Sequence, residues 1–213
     1  MLLLGALSAL TGCRGGEPPS QASLKLQRED LAAVCQALQG VQRTVNNEVA
    51  ATKAAWPLIV DGLRAGAIAS ERTPIATAAA NAARLKLPAL LEQAQATSLT
   101  GPASAVAGLF REYVLLAMRG WRLIGAAVQE IERGSPASAR FASENVALYI
   151  ESVYDAHFTL SQLGKSLLGA YRKLGGRAAF GGALPAAEVG ALARTYSEPS
   201  DRLYPHVGVR LGS

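Results

Sequence analysis

Apolar residues recur along this chain at alternating spacings of three and four. That spacing stacks side chains on one face of an α-helix. Four long segments carry it. The first runs through Leu31, Val34, Leu38, Val41, Val45, Val49, Thr52, Trp56, Ile59 and Leu63 and ends between Gly66 and Ser70. The second opens at Thr73-Pro74, an N-cap residue followed by proline at the first helical position, and runs through Ile75, Ala78, Ala82, Leu85 and Leu91 to about Ser98. Thr100-Gly101-Pro102 marks a turn. The third holds Val106, Leu109, Tyr113, Leu116, Gly120, Leu123, Ala127 and Ile131, and stops at Gly134. Ser135-Pro136 opens the fourth, which carries Val146, Tyr149, Val153, Ala156, Leu160, Leu163, Leu167, Tyr171 and Leu174 before Gly175-Gly176 ends it.

No strand-like alternation survives in these stretches, and short turns between long helices make them antiparallel neighbours. The pattern predicts an all-α fold: an up-down-up-down four-helix bundle with a short fifth C-terminal helix from Pro185 to Tyr196. Pro199 and Pro205 predict an irregular tail after it. The domain boundaries follow as residues 24–197 for the bundle and 198–213 for the tail. The first and fourth segments, each roughly 60 Å at ~1.5 Å per residue, outreach the middle two. They should overhang the turn at Gly101 and leave Leu31, Val34, Leu167 and Tyr171 uncovered. Leu184, Val189 and Leu192 of the fifth helix are placed to cover them.

Two prolines interrupt otherwise helical patterns. Pro57 implies a kink, since the apolar phase continues through it; two shorter helices broken there are the other reading. Registering the hairpins by their turns near 71, 100 and 135 brings Pro57 and Pro88 to one level with Tyr113 and His157. Trp56, Lys53, Lys86, Glu112 and Tyr154 lie close to it. Interior prolines free a carbonyl and bend a helix, and two bends at one level would widen the interior, where bundles commonly hold ligands. Trp56, Tyr113, His157 and Glu112 are therefore the candidate ligand-binding residues. The competing reading is plain packing, with Glu112 pairing with His157 at the surface and His157 flanking the seam beside Ala156.

Composition narrows the function. With 213 residues, half of them apolar, the chain can bury one substantial core. The net charge of +5 is scattered rather than clustered and has no interleaved aromatics, so no nucleic-acid partner is expected. There is no C-x-x-C-H, paired Glu-x-x-His, H-E-x-x-H, G-x-S-x-G or phosphate-cradling glycine loop. The chain has two histidines and two cysteines, and Cys35, between Val34 and Leu38, reads as a core hydrophobe. No catalytic residue, metal ligand or cofactor is expected, and the domain reads as non-enzymatic.

The N-terminus carries the most specific motif. Residues 1–10, MLLLGALSAL, form an apolar run too short to span a bilayer, which needs about 20 apolar residues. Leu10-Thr11-Gly12-Cys13 follows at once and resembles the lipobox of bacterial lipoproteins. The resemblance implies that residues 1–12 are a signal peptide cleaved before Cys13, and that acyl chains such as palmitate on Cys13 form a stable membrane anchor. Lipoprotein leaders usually carry a basic residue ahead of the apolar run. The first here is Arg14, so a translation start further upstream is expected. Residues 13–23 then make a lipidated cysteine and a flexible Gly-, Pro- and Ser-rich tether. Arg14 stands where an aspartate would retain a lipoprotein at the inner membrane, which routes the protein to the outer membrane in a two-membrane host. The expected role is an interaction or scaffold module of the cell envelope, anchored on the extracytoplasmic side, with the lipid bilayer and an envelope protein as partners. The rival is a ligand-binding or sensing bundle using the Pro57/Pro88 layer.

Overall fold

The computed structural model describes residues 19–65, 87–95, 98–133 and 136–208, and every regular element among them is a helix. They are α1 (Gln21–Ala65), α2 (Leu87–Gln95), α3 (Gly101–Arg133), α4 (Pro136–Lys173), α5 (Gly176–Phe180) and α6 (Ala186–Gly208). The all-α class read from the apolar spacing holds among these residues.

Ser20 starts α1. Its hydroxyl accepts the Ser23 N–H at 3.2 Å and its carbonyl accepts the Leu24 N–H at 2.9 Å, an N-cap arrangement. Leu24 packs on the core. Gln21 to Ser23, within the stretch read as a tether, form the first turn of α1. From there α1 continues for 45 residues and runs through Pro57 as one helix. Leu31, Val34, Leu38, Val41, Val45 and Val49 are all buried along one stripe.

Of the second apolar segment only α2 is described, with Leu87 and Leu90 buried against α3. Thr73, Pro74, Ile75, Ala78, Ala82 and Leu85 lie outside the described residues.

α3 and α4 pair more extensively than any other two described helices. Gly120 sets how close they come: a Cβ placed there would lie 3.5 Å from the Tyr149 ring and 3.6 Å from the Ser152 side chain. Positions 120 and 121 thus face 149 to 152, the register expected from a turn at 135. α4 ends where Gly175 and Gly176 take φ of 102° and 54°, a left-handed backbone that side-chain-bearing residues rarely adopt. The chain then folds into α5, a single turn the apolar pattern did not reveal. Phe180 of α5 stacks on Tyr171 with ring centroids 5.0 Å apart.

α6 is 23 residues long rather than short. It continues through Pro199 and Pro205 to Gly208, across much of the stretch 198–213 expected to be irregular. Proline costs a helix one hydrogen bond and strains the preceding turn; here the helix tolerates both. Leu184, Val189, Leu192 and Tyr196 are buried in one core with Leu31, Val34, Leu167 and Tyr171, and α6 packs on α4 and α1. It seats very closely on α4, where a Cβ at Gly164 would meet the Ala193 carbonyl oxygen at 2.5 Å.

Polar ties fix α6 to α1. The Tyr196 hydroxyl donates to the Leu38 carbonyl at 2.6 Å, and the Gln42 amide donates to Thr195 Oγ1 at 3.0 Å. Tyr196→Phe deletes the first tie from a fully buried position. We expect a loss of ~1 kcal/mol in urea denaturation, the usual net worth of an intramolecular hydrogen bond. An unchanged midpoint would show that α6 is held by apolar contact alone.

Candidate functional site

The buried stripe of α1 contains one carboxylate. Glu48 follows Val45 by three residues and precedes Thr52 by four, so it falls on the core-facing side. The residue as a whole is half-buried, but its carboxylate turns inward. Oε1 accepts the hydroxyl of Thr52 at 3.1 Å. Oε2 accepts the hydroxyl of Tyr113 from α3 in a short hydrogen bond. The Trp121 indole, two turns further along α3, lies near enough to favour the ionised carboxylate. Thr52, Tyr113 and Trp121 are themselves all but sealed from solvent.

Tyr149 of α4 completes the layer. Its ring centre lies 5.9 Å from that of Trp121, at a tilt of 45°. Its hydroxyl is buried and has no hydrogen-bond partner. The charge of Glu48 reaches it and, after burial itself, pushes its ionisation upward. The Tyr113 hydroxyl is pushed well up by burial first and by Glu48 next.

Burial drives the Glu48 carboxyl above the usual carboxylate range, with Tyr113, Thr52 and Trp121 pulling the other way. Among the described residues no positive charge pairs with it. The ion pairs among the described residues are Lys25–Glu29, Glu130–Arg133 and Arg140–Glu144, none of which involves Glu48.

Further along α4, His157 is 2 % exposed and its Nδ1 has no partner. Burial, then the charge of Lys53 on α1, lowers it to about 4, so the imidazole is neutral at pH 7. This corrects its expected place at the edge of the seam. The reason is that α4 packs against α3, α6 and α1 together. Ser152, Val153, Ala156, His157, Thr159, Leu160 and Ser161 are consequently all buried, a far wider arc than a two-neighbour helix hides.

The other candidates separate. Tyr113 is fully buried, as its place in the apolar line implied. Glu112 is exposed on the opposite side of α3 and does not join the layer, nor does it meet His157. The Trp56 side chain and Lys86 lie outside the described residues, and Pro88 is a half-buried second residue of α2. Cys35 is a free, buried thiol pushed up to about 11 by burial, inert as expected of a core hydrophobe. The residues that reading the sequence overlooked are Glu48 and Trp121. The signal was present for Glu48, a charge spaced three and four from the apolar positions 45 and 52. Trp121 gave none, since Gly120 beside it carried the apolar phase.

Among the described residues no three histidine, cysteine, aspartate or glutamate side chains gather as metal ligands. The layer consists of one carboxylate, two phenols, an indole and a hydroxyl, groups that can bind and orient. Compared with family models, with curated proteins and with solved structures, the chain matches none of them.

Proposed function

We propose that this is an exported, non-enzymatic lipoprotein, anchored on the extracytoplasmic side of a membrane through Cys13, whose helical domain holds a small molecule in the Glu48 layer. One observation carries the binding role: an inward-turned carboxylate with no counter-charge among the described residues, in one layer with a buried tyrosine hydroxyl without a partner. Buried polar groups are rarely left unsatisfied in a finished interior, and each exception invites an explanation. The Tyr113 and His157 expected at the Pro57/Pro88 level stay part of this reading, with its centre moved about two and a half turns along α1 to Glu48.

The anchor rests on Leu10-Thr11-Gly12-Cys13. Among the described residues no helix is long and apolar enough to cross a membrane. Expressed in a bacterial host, the protein should incorporate labelled palmitate and partition into detergent, and Cys13→Ser should abolish both. Equal membrane association of the variant would overturn the anchor. Mass spectrometry of native protein from its own host tests the site, which predicts a co-purifying small molecule released on denaturation.

We also propose an up-down-up-down four-helix topology for α1 to α4, closed by α6. Asp30 on α1 accepts the backbone N–H and hydroxyl of Thr100 at 2.9 and 2.6 Å, beside the start of α3. Arg28 donates to the Leu174 carbonyl at 2.9 Å, at the end of α4. Both favour α1 and α3 running one way and α4 the other.

A second reading, an interaction or scaffold module of the envelope, is favoured by Leu115 of α3 and by Phe141, Leu148 and Phe158 of α4. These large apolar side chains are exposed and suit contact with a protein partner.

A further inference from the structure

Among the described residues the Glu48 layer lacks a matching positive charge. Tyr113 and Thr52 donate to the carboxylate and Trp121 lies near it, yet all three are neutral. Arg43 and Lys53, each five residues from Glu48 along α1, are exposed, and Lys53 acts on His157 instead. A carboxylate withdrawn from water without a counter-charge is costly, and a paired one much less so. The Tyr149 oxygen sits within reach of the Glu48 field and is equally unmatched.

An ammonium group answers both deficits. Its charge offsets Glu48, and its N–H groups can donate to the carboxylate and to the Tyr149 oxygen. Aromatic side chains favour such cations electrostatically, and three of them, Tyr113, Trp121 and Tyr149, belong to this layer. An anion would be repelled, and a neutral alcohol would leave the charge uncompensated. On the α1 side Glu48 is half-buried rather than sealed.

We propose that the Glu48 layer binds a small organic cation of the alkylammonium class, with Glu48 as its counter-ion, Tyr149 as a hydrogen-bond acceptor, and Trp121 and Tyr113 as aromatic walls. This rests on the reading of the layer as a ligand site and names what that site takes. Protonating Glu48 removes the counter-ion, so binding weakens as the pH falls. The other groups facing the layer do not supply a charge: Tyr113 and Tyr149 stay protonated, Thr52 and Trp121 do not titrate, and His157 stays neutral until about 4.

The test is calorimetric titration of the full chain in detergent with n-butylammonium chloride, n-butanol and potassium chloride. Butylammonium should bind about tenfold or more tightly than butanol, and potassium should not compete. Glu48→Gln should weaken butylammonium about tenfold or more while Glu112→Gln, on the exposed side of α3, leaves it unchanged. Circular dichroism checks that Glu48→Gln folds. Should it not, Tyr149→Phe keeps the ring and should still weaken binding several-fold. Butanol binding as tightly as butylammonium overturns the cation while leaving an interior site. Competition by potassium points to an inorganic ion and also overturns it. Undiminished binding by Glu48→Gln removes Glu48 from the site, and no heat from any probe overturns both the cation and the ligand site.

Discussion

Leu192→Asp should destabilise the protein by ~3–5 kcal/mol, the cost of an uncompensated charge in a packed interior. Leu192 is 4 % exposed and sits on the face of α6 that also carries Val189, Ala193 and Tyr196. These side chains complete the core over Leu31, Val34, Leu167 and Tyr171. An aspartate there meets apolar neighbours on α1 and α4. Leu192→Ala should cost less than the aspartate, because it leaves a cavity without adding a charge. Arg194→Ala, on the exposed side of α6, should stay within ~0.5 kcal/mol. Urea denaturation of the three variants provides the comparison. A Leu192→Asp change no larger than that of Arg194→Ala would mean that α6 does not dock in solution.

Acid should unfold the wild type more readily than a variant lacking His157. The folded imidazole titrates near 4, depressed by burial and by Lys53, whereas an unfolded one titrates near ~6.5. Between those values the unfolded chain binds the proton more readily, so stability is lost as the pH falls. The full loss on going from pH 7 to 4 is about 3 kcal/mol at ~1.4 kcal/mol per unit. Glu48 works in the opposite sense. Its carboxyl is raised in the folded state, so its protonation favours the fold in acid. The measurement is therefore a difference: denaturation midpoints of wild type and His157→Asn across that range, with Glu48 present in both. The two curves should converge or cross as the pH falls. Parallel curves would show that His157 is already solvated in the native state.

Much of the helical framework was legible because apolar spacing and turn chemistry pointed the same way. Val45, Val49, Val106, Leu160 and Leu167 are buried where the three-four repeat put them. Gly120 lies against Tyr149 and Ser152, a register in keeping with the turn read near 135. The misreadings share a cause, which is tertiary context overriding a local rule. Pro199 reads as a stop, yet α6 carries it. His157 reads as a flank position because a helix in a simple bundle has two neighbours; α4 has more. Glu48 went unremarked because a charge within an apolar run is ordinarily assigned to solvent. Its significance lies in Tyr113, Trp121 and Tyr149, which come from two other helices and converge only on folding.

The ties between α1 and the end of the chain bear on the order of assembly. Leu38 and Tyr196, which share a hydrogen bond, are 158 residues apart in sequence, and Arg28 and Leu174 are 146 apart. Contacts this distant require large loops to close before they reward the chain, which slows folding. The α3–α4 hairpin needs no such wait, since its partners are consecutive. During synthesis α1 emerges first and its C-terminal partners last, leaving Leu31, Val34 and Leu38 without their final cover until α6 appears. Truncation before α6 would therefore be expected to leave a sticky, chaperone-dependent N-terminal helix rather than a smaller stable domain.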